Sequence, residues 1–199
     1  MKNMFKLGIV LALYATAACI GLAFVYSGTQ KTIAERQQAD LEAALKELFP
    51  QGDSFEDITG TIESPDSSVA FSSQYAALRG GEVIGAAIQA SGPSYGGPIV
   101  VLVGVGTDGK ISGAKILDNQ DTPGLGANAS SATYYVDRAN KITFYSQFAG
   151  KSISDPFEPK NDVAAITAST ITSRAVASVV KASGSAGSVW LSTQTGGVR

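Results

Sequence analysis

The sequence predicts an α+β protein that has one N-terminal transmembrane helix followed by a domain built on an antiparallel sheet with flanking helices. Two observations support this fold class. Residues 7–26 form a run of twenty residues without a charge. Four β-forming segments then follow between residues 75 and 117, separated by short Gly-rich or Pro-rich turns. Consecutive strands joined in this way favour an antiparallel meander.

The composition excludes several classes of protein. The chain has 199 residues and a formal net charge of −2, so it lacks the basic field that nucleic-acid binding requires. It contains no histidine and a single cysteine, Cys19. This excludes His-based catalytic triads, imidazole-ligated metals, intrachain disulfides and iron–sulfur ligation. We therefore expect no metal site, and any redox chemistry needs an organic cofactor.

The apolar run predicts a single-pass anchor over residues 1–28. Twenty helical residues rise about 30 Å, which matches the hydrocarbon core of a bilayer. Lys2 and Lys6 precede the run, whereas acidic residues dilute the basic residues beyond it. The positive-inside tendency predicts a cytoplasmic N-terminus and an extracytoplasmic C-terminal domain, in the inner or cytoplasmic membrane of the cell.

A cleaved signal peptide is the main alternative to this anchor. Residues 15–17 fit a small-x-small cleavage pattern, and residues 17–19 are faintly similar to a lipoprotein site. Both lie in the middle of the apolar run, whereas a cleavage site should follow it. A pilin-like protein would also begin with an apolar helix, but this run lacks the early acidic residue expected there. The anchor is the favoured interpretation.

A second, amphipathic helix is predicted after the anchor. The apolar residues of segment 32–49 fall close to one helical face, and Pro50 and Gly52 end the helix. The Gly/Ser-rich C-terminus predicts a loose tail in which Trp190 docks. The chain is thus divided into anchor, amphipathic linker helix, globular domain and loose tail, over residues 1–28, 29–50, 51–185 and 186–199.

Within the domain, a loop, four strands and helical segments are expected. The polar residues 51–72 predict a loop, and residues 131–149 have mixed character from which we expect helix. Residues 163–182 contain valines at helical spacing and predict a helix near the C-terminus. The four strands of the meander are predicted at residues 75–79, 83–90, 99–105 and 111–117.

Residues 104–109 match the dinucleotide signature GxGxxG letter for letter. A dinucleotide site needs a helix after the motif, so that the pyrophosphate meets the helix N-terminus. Here the alternating segment KISGAKIL follows, and Asp108-Gly109 is a hairpin-turn signal. We interpret the motif as a turn between two strands.

Three polar loops are candidate functional segments. SYGGP (residues 94–98) and TPGLG (residues 122–126) are either turns or places where a flat ligand approaches the backbone, lined by Tyr95 or Leu125. The Ser/Thr cluster at residues 167–173 either caps a helix or offers a hydroxyl-rich helix N-terminus suited to a phosphate. The residues alone leave these alternatives open.

The order of these loops resembles that of a known family. The anchor precedes SYGGPIVVLVGVGTDGKISGAKIL, then DTPGLGA, then VAAITASTITSRAVASVV. This arrangement is similar to the flavin-binding proteins of membrane electron-transport complexes. Their family comprises the RnfG protein of the Rnf electron-transport complex and its relative in the sodium-pumping NADH:quinone oxidoreductase. The resemblance covers about residues 5–182, and the length of the chain suits the Rnf protein better.

The resemblance implies a covalently bound FMN. The family motif Ser/Thr-Gly-Ala-Thr carries FMN on its last threonine through a phosphoester, and Thr167-Ala168-Ser169-Thr170 occupies its place here. Thr170 is then the flavinylated residue, with Thr167 and Ser169 beside it. Ala168 and Ser169 replace the family's Gly and Ala, and Ala164 replaces its usual Asp. These departures bear on attachment, because a separate flavin transferase reads the motif.

The resemblance also nominates residues for the rest of the cofactor site. In the family, the TPGLG segment contacts the isoalloxazine ring of the flavin. Asp121 stands where the family usually has Glu. The residues nominated as cofactor-binding in this way are Asp121, Thr122, Gly124, Leu125, Tyr95 and Gly97.

The function implied is electron relay through FMN within an ion-translocating ferredoxin:NAD oxidoreductase of the Rnf type. Alone, such a protein catalyses no overall reaction. Its partners are the other membrane subunits of the complex, the membrane and, during maturation, the flavin transferase. The alternative is a membrane-anchored extracytoplasmic binding or structural module without a redox cofactor, which the altered motif supports.

Overall fold

The computed structural model describes residues 2–195 of the chain, which form two compact units that divide between Glu42 and Ala43. Helix α1 (Lys2–Leu48) is continuous, so the predicted anchor and the predicted linker helix are parts of one element. It ends just before Pro50, as expected, since proline cannot continue a helix. Among the described residues, α1 is the one helix long and apolar enough to cross a membrane.

The apolar part of α1 has exposed side chains on all sides. Large apolar residues between Met4 and Tyr26 are exposed, including Leu11, Tyr14 and Phe24. A helix that is apolar all round needs an apolar environment, because water would otherwise cover its whole hydrophobic surface. The structure is thus consistent with the predicted single-pass membrane segment.

The second unit is built on a five-stranded antiparallel sheet in which each strand pairs with the next along the chain. The predicted meander is confirmed. The strands are β1 (Ser54–Asp57), β2 (Ala70–Arg79), β3 (Glu82–Pro93), β4 (Pro98–Gly106) and β5 (Ile111–Asp118). The expectation of a loop over residues 51–72 is wrong where it overlaps β1 and the start of β2. The strand β1 has four residues and pairs with β2 alone, so its own sequence carries little strand signal.

The GxGxxG match lies in the turn between β4 and β5, as predicted. The Gly109 N–H donates a hydrogen bond to the Gly106 carbonyl at 3.2 Å, and Gly109 has φ +74°. No helix follows, since the chain enters β5 at Ile111. The motif therefore serves the turn and offers no helix N-terminus to a pyrophosphate.

Helix α2 (Thr170–Thr195) packs on one face of the sheet and forms the core with it. The expected loose tail is wrong for residues 186–195, which continue this helix; residues 196–199 lie outside the described residues. Small residues explain the difference. A Cβ at Gly184 would come within 2.9 Å of Ile111, and one at Gly187 within 3.0 Å of Val105. The Gly/Ser content that suggested a loose tail instead permits close packing of helix and sheet.

The opposite face of the sheet receives the end of α1 and the residue after it. The Phe49 ring lies over Gly85, where a Cβ would clash with it, and 3.1 Å from the Cβ position of Gly104. A Cβ at Gly113 would meet Leu48 at 2.7 Å. Both apolar side chains are buried. The glycines thus form a flat seat on which the two side chains rest, and their burial holds this end of the helix on the sheet.

The expectation of helix over residues 131–149 is wrong. This segment forms two short strands, β6 (Tyr135–Asp137) and β7 (Ile142–Thr143), and a 3-10 turn at Ser146–Phe148. Phe144 and Phe148 are four residues apart, a spacing that imitates one helical face. Both are instead fully buried, with their rings edge to face at 5.8 Å. Burial of these aromatic side chains in the shared core decides the conformation of this segment.

Candidate functional site

The three candidate loops meet at one pocket of about 620 Å³. The loop between β3 and β4, the loop after β5 and the start of α2 each contribute to its wall. Its volume lies in the range of about 300–1,000 Å³ that is typical of small-molecule sites. The lining residues are Tyr95, Asp121, Thr122, Leu125, Gly126, Ala168, Ser169, Thr170, Ile171 and Thr172.

Most of the predicted site residues lie in this wall. Tyr95, Asp121, Thr122, Leu125, Ser169 and Thr170 all line the pocket. Thr167, Gly124 and Gly97 are not among its lining residues. Thr167 is exposed, and Gly124 and Gly97 adopt φ +78° and +147° in the turns that shape the two loops.

A buried carboxylate connects the three segments. Asp121 is only 5% exposed. It accepts hydrogen bonds from Ser94 Oγ at 2.6 Å, from the Gly96 N–H at 2.5 Å and from Thr172 Oγ1 at 2.5 Å. Ser94 and Gly96 belong to the β3–β4 loop, Asp121 to the loop after β5, and Thr172 to the first turn of α2. One side chain thus holds all three parts of the pocket wall together.

The hydrogen bonds determine the ionisation of Asp121. Burial raises the pKa of this carboxyl, but the donated hydrogen bonds from Ser94, Thr172 and the backbone of Gly96 and Tyr95 together outweigh burial. The pKa is therefore held below its ordinary value of 3.8. Asp121 is ionised at neutral pH and acts as an acceptor of hydrogen bonds.

Two glycines allow the loops to approach each other this closely. A Cβ at Gly126 would clash with Thr172 Oγ1 and would lie 2.6 Å from Asp121 Cβ. A Cβ at Gly96 would clash with the carbonyl oxygen of Gln120. Both positions therefore require glycine. Ser94, Gly126 and Thr172 were not among the predicted site residues, and the only signal for them was the glycine content of the loops.

A buried serine fixes the start of α2. Ser173 Oγ accepts a hydrogen bond from the Ile166 N–H at 3.0 Å and donates one to the Ser169 carbonyl at 2.9 Å. Ser173 is fully buried, and the buried Ile166 anchors the preceding segment in the core. The Ser/Thr cluster therefore does contain a helix-capping interaction, made by Ser173. Thr170 is left outside it.

Thr170 is the first residue of α2 and lies in the pocket wall, half-buried. Within residues 2–195, its hydroxyl has no hydrogen-bond partner. The first backbone N–H groups of a helix lack intrahelical acceptors, and the helix dipole favours negative charge at this end. A free hydroxyl and a helix N-terminus are thus presented to the same pocket, a combination that suits an anionic group such as phosphate.

Apolar side chains surround the rest of the pocket. Tyr95, Ile171 and Leu125 are 72%, 55% and 42% exposed. Elsewhere in the described part of the second unit, the other exposed large apolar side chain is Val189. Exposed apolar groups gathered around one concave site mark a surface that a ligand would cover. The pocket therefore suits a flat aromatic ligand that carries an anionic group.

The altered motif has a strained backbone at Ala168. This residue adopts φ +61°, in the left-handed region that glycine occupies without penalty. The conformation costs an L-residue about 1–2 kcal/mol. The resemblance places glycine at this position in the family, and the structure supplies the physical reason.

The position of the missing family Asp is held through its backbone. Ala164 is exposed, and its N–H donates to Gln147 Oε1 at 2.7 Å while its carbonyl accepts from Gln147 Nε2 at 3.1 Å. The neighbouring Asp162 is engaged elsewhere. It forms an ion pair with Lys151 at 3.1 Å and accepts the backbone N–H groups of Phe157 and Glu158. Asp162 therefore does not line the pocket in place of the missing carboxylate.

Comparison with known proteins identifies the family. Residues 94–183 match the family of FMN-binding domains, and residues 1–48 match the RnfG N-terminal region. The chain is 33% identical to the G protein of the Na(+)-translocating ferredoxin:NAD(+) oxidoreductase complex of Acetobacterium woodii, over 92% of this chain and 90% of that protein. The chain belongs to the RnfG family.

Other relatives of this RnfG family member carry related names. It is 32% identical to the G protein of the ion-translocating oxidoreductase complex of Aliivibrio fischeri, over 91% of this chain and 89% of that protein. It is also 32% identical to the G protein of the proton-translocating ferredoxin:NAD(+) oxidoreductase complex of Clostridium ljungdahlii, over 80% and 78%. The FMN-binding domain match spans every residue that lines the pocket.

The strain at Ala168 predicts that Ala168→Gly stabilises the protein. Relief of the left-handed conformation should outweigh the larger chain entropy of glycine, with a net gain of roughly 0.5–1 kcal/mol in the free energy of unfolding. Chemical unfolding of the detergent-solubilised full chain measures it. Ala164→Gly is the matched control, because Ala164 has no positive φ and should gain nothing. Equal effects of the two substitutions would contradict the prediction.

The lowered pKa of Asp121 predicts a defined loss of stability in acid. Because the folded pKa lies below the unfolded value of about 3.9, the carboxylate stabilises the fold above that pH and loses its contribution as the pH falls through the folded pKa. Asp121→Asn should therefore be less stable than the parent chain near neutrality, with a difference that shrinks below about pH 4. Unfolding between about pH 3 and 7 measures this. The exposed Glu56→Gln is the control, and a pH-independent difference for Asp121→Asn would refute the prediction.

Proposed function

We propose that this RnfG family member relays electrons through an FMN that is joined to Thr170 by a phosphoester. The observation that carries the proposal is the position of the Thr170 hydroxyl. It has no hydrogen-bond partner among the described residues, it begins a long helix, and it lies in the wall of the pocket within the FMN-binding domain. The helix N-terminus would favour the negative charge that a phosphodiester retains.

The remaining pocket residues suit the rest of the cofactor. The exposed side chains of Tyr95, Leu125 and Ile171 offer apolar contact to the flat isoalloxazine ring. Thr122 and Ser169 add hydroxyl groups to the wall. We propose that these residues hold and orient the ring and limit its contact with water.

A covalent link suits the proposed location of the domain. FMN supplies one- or two-electron chemistry that no side chain of this protein provides. Free FMN is scarce outside the cytoplasm, so a domain that bound it reversibly there would lose it. Attachment to Thr170 through the phosphate would prevent this loss and leave the ring unsubstituted. In this proposal, a flavin transferase makes the attachment during maturation.

We further propose that the protein works within an ion-translocating ferredoxin:NAD oxidoreductase and that its partners are the other membrane subunits of that complex. Family membership and the apolar helix α1 support this assignment. Relatives named for sodium translocation and for proton translocation are similar to this chain to almost the same degree. The proposal therefore specifies ion translocation without choosing the ion.

One specific observation favours a second candidate function. The motif around Thr170 has Ala168 in a conformation that suits glycine and has Ala164 in place of the family's Asp. If these departures prevented recognition by the transferase, the protein would be a membrane-anchored binding or structural module without a redox cofactor. Flavin fluorescence that stays with the denatured polypeptide in a gel would exclude this candidate.

Thr170→Ala should abolish covalent flavin and stop electron flow through the complex, because a side chain without a hydroxyl cannot form the phosphoester. Protein from a host that carries the transferase should show an FMN-sized mass increase on the tryptic peptide of residues 161–174, and Thr170→Ala should lack it. Since the backbone of α2 and its capping Ser173 are unchanged, stability should change by no more than about 1 kcal/mol.

Thr167→Ala is the control for this substitution, because Thr167 is exposed and lies outside the pocket lining. It should keep the adduct. Thr172 is unsuitable as a control, since its hydroxyl holds Asp121. Leu125→Ala should keep the adduct and shift the absorption or the potential of the flavin. An unmodified peptide from the parent chain would overturn the covalent proposal.

The proposed orientation places the N-terminus in the cytoplasm and residues 43–199 outside it, on the basis of Lys2 and Lys6. Protease added to spheroplasts should therefore digest this part of the chain, whereas protease added to inverted membrane vesicles should leave it intact. Immunoblotting with an antibody against the C-terminal domain measures both. Digestion in inverted vesicles alone would reverse the orientation.

A further inference from the structure

We propose that Asp121 is a positioning residue for the flavin site. Its hydrogen bond to Thr172 draws the TPGLG loop against the first turn of α2, so that the segment carrying Thr170 and the loop carrying Leu125 are held in place before a flavin is attached. This inference rests on the proposed function, since Thr170 is the proposed attachment point.

The bonds of Asp121 are long-range, whereas the other described hydrogen bonds of its loop are local. Thr172 lies 51 residues from Asp121 along the chain, and Ser94 lies 27 residues away. By contrast, Asn119 Nδ2 donates to the Gly126 carbonyl, and the N–H groups of Leu125 and Ala127 donate to the Thr122 carbonyl. These local bonds shape the loop, but they do not determine where the loop lies relative to α2.

Both members of the Asp121–Thr172 pair are buried. Thr172 is 1% exposed and Asp121 is 5% exposed. A buried carboxylate is tolerated only when hydrogen bonds replace its lost hydration. Asp121 satisfies this condition through groups on two other segments, so its burial and the closed arrangement of the pocket wall depend on each other.

Two neighbouring threonines divide their roles at the start of α2. Thr172 donates its proton to Asp121, and Gly126 packs against its Oγ1. Thr170, two residues earlier and therefore on a different side of the helix, makes no hydrogen bond within residues 2–195. Asp121 thus engages one hydroxyl as a structural donor and leaves the other available in the pocket.

The test compares Asp121→Asn, Thr172→Val, Thr172→Ser and the double variant Asp121→Asn/Thr172→Val in the full chain. Asparagine presents an amide group to the donors, and valine keeps the shape of threonine without its hydroxyl. Each variant is produced twice, in a host with the flavin transferase and in one without it. Gln74→Ala is the control, because it removes two hydrogen bonds from another buried side chain that does not line the pocket.

In flavin-free protein, amide hydrogen exchange should be about ten- to hundredfold faster in Asp121→Asn and Thr172→Val, at residues 94–97, 121–126 and the first turn of α2. In protein from the transferase host, less Thr170 should be modified, and the remaining flavin should show lower fluorescence anisotropy. Thr172→Ser should restore both properties, because it keeps the hydroxyl. The double variant should be no worse than either single variant, since both break the same bond.

Two results would overturn the inference: unchanged local exchange and anisotropy in Asp121→Asn and Thr172→Val, or an equal effect from Gln74→Ala at matched loss of stability. Failure of the proposed function looks different. If the parent chain itself carries no flavin, the covalent proposal is lost, and the exchange measurements on flavin-free protein still decide whether Asp121 holds the loops.

Discussion

The pocket depends on one buried carboxylate. Burial disfavours the charged form of Asp121, and the hydrogen bonds that restore it come from the β3–β4 loop and from α2. The charge is therefore stable only when three distant segments of the chain meet. Because ordering these segments costs conformational entropy, the charge-assisted bonds are the interaction that keeps the pocket wall assembled. Gly96 and Gly126 are part of the same constraint, since side chains there would keep the segments apart.

Helix α2 links this site to the core. Valines along the helix are buried against the sheet, and Gly187 allows the helix to approach Val105 closely. This packing fixes the rotation of the helix about its axis. Its first turn consequently points Thr172 at Asp121 and places Thr170 in the pocket wall. The stability of the core and the geometry of the site therefore depend on the same element.

The motif that carries Thr170 departs from the family where the backbone is most demanding. Ala168 adopts the left-handed conformation that glycine would adopt freely, and Ser173 and the buried Ile166 hold the segment in that shape. The fold thus keeps the motif's conformation despite the substitution, and the backbone at Ala168 is strained as a result. Whatever recognises the motif meets an additional methyl group at Ala168 and no carboxylate at Ala164.

The sequence by itself determined the features that local patterns encode. An uncharged run long enough to span a bilayer, turn signals between alternating strands and the order of three loops were sufficient for the anchor, the meander and the family. Tertiary structure decided the features that depend on distant partners. The strand β1 forms only because β2 lies beside it, and Phe144 and Phe148 enter a shared core instead of a helix. The role of Asp121 was likewise invisible, because its partners lie 27 and 51 residues away, beyond the reach of any local pattern.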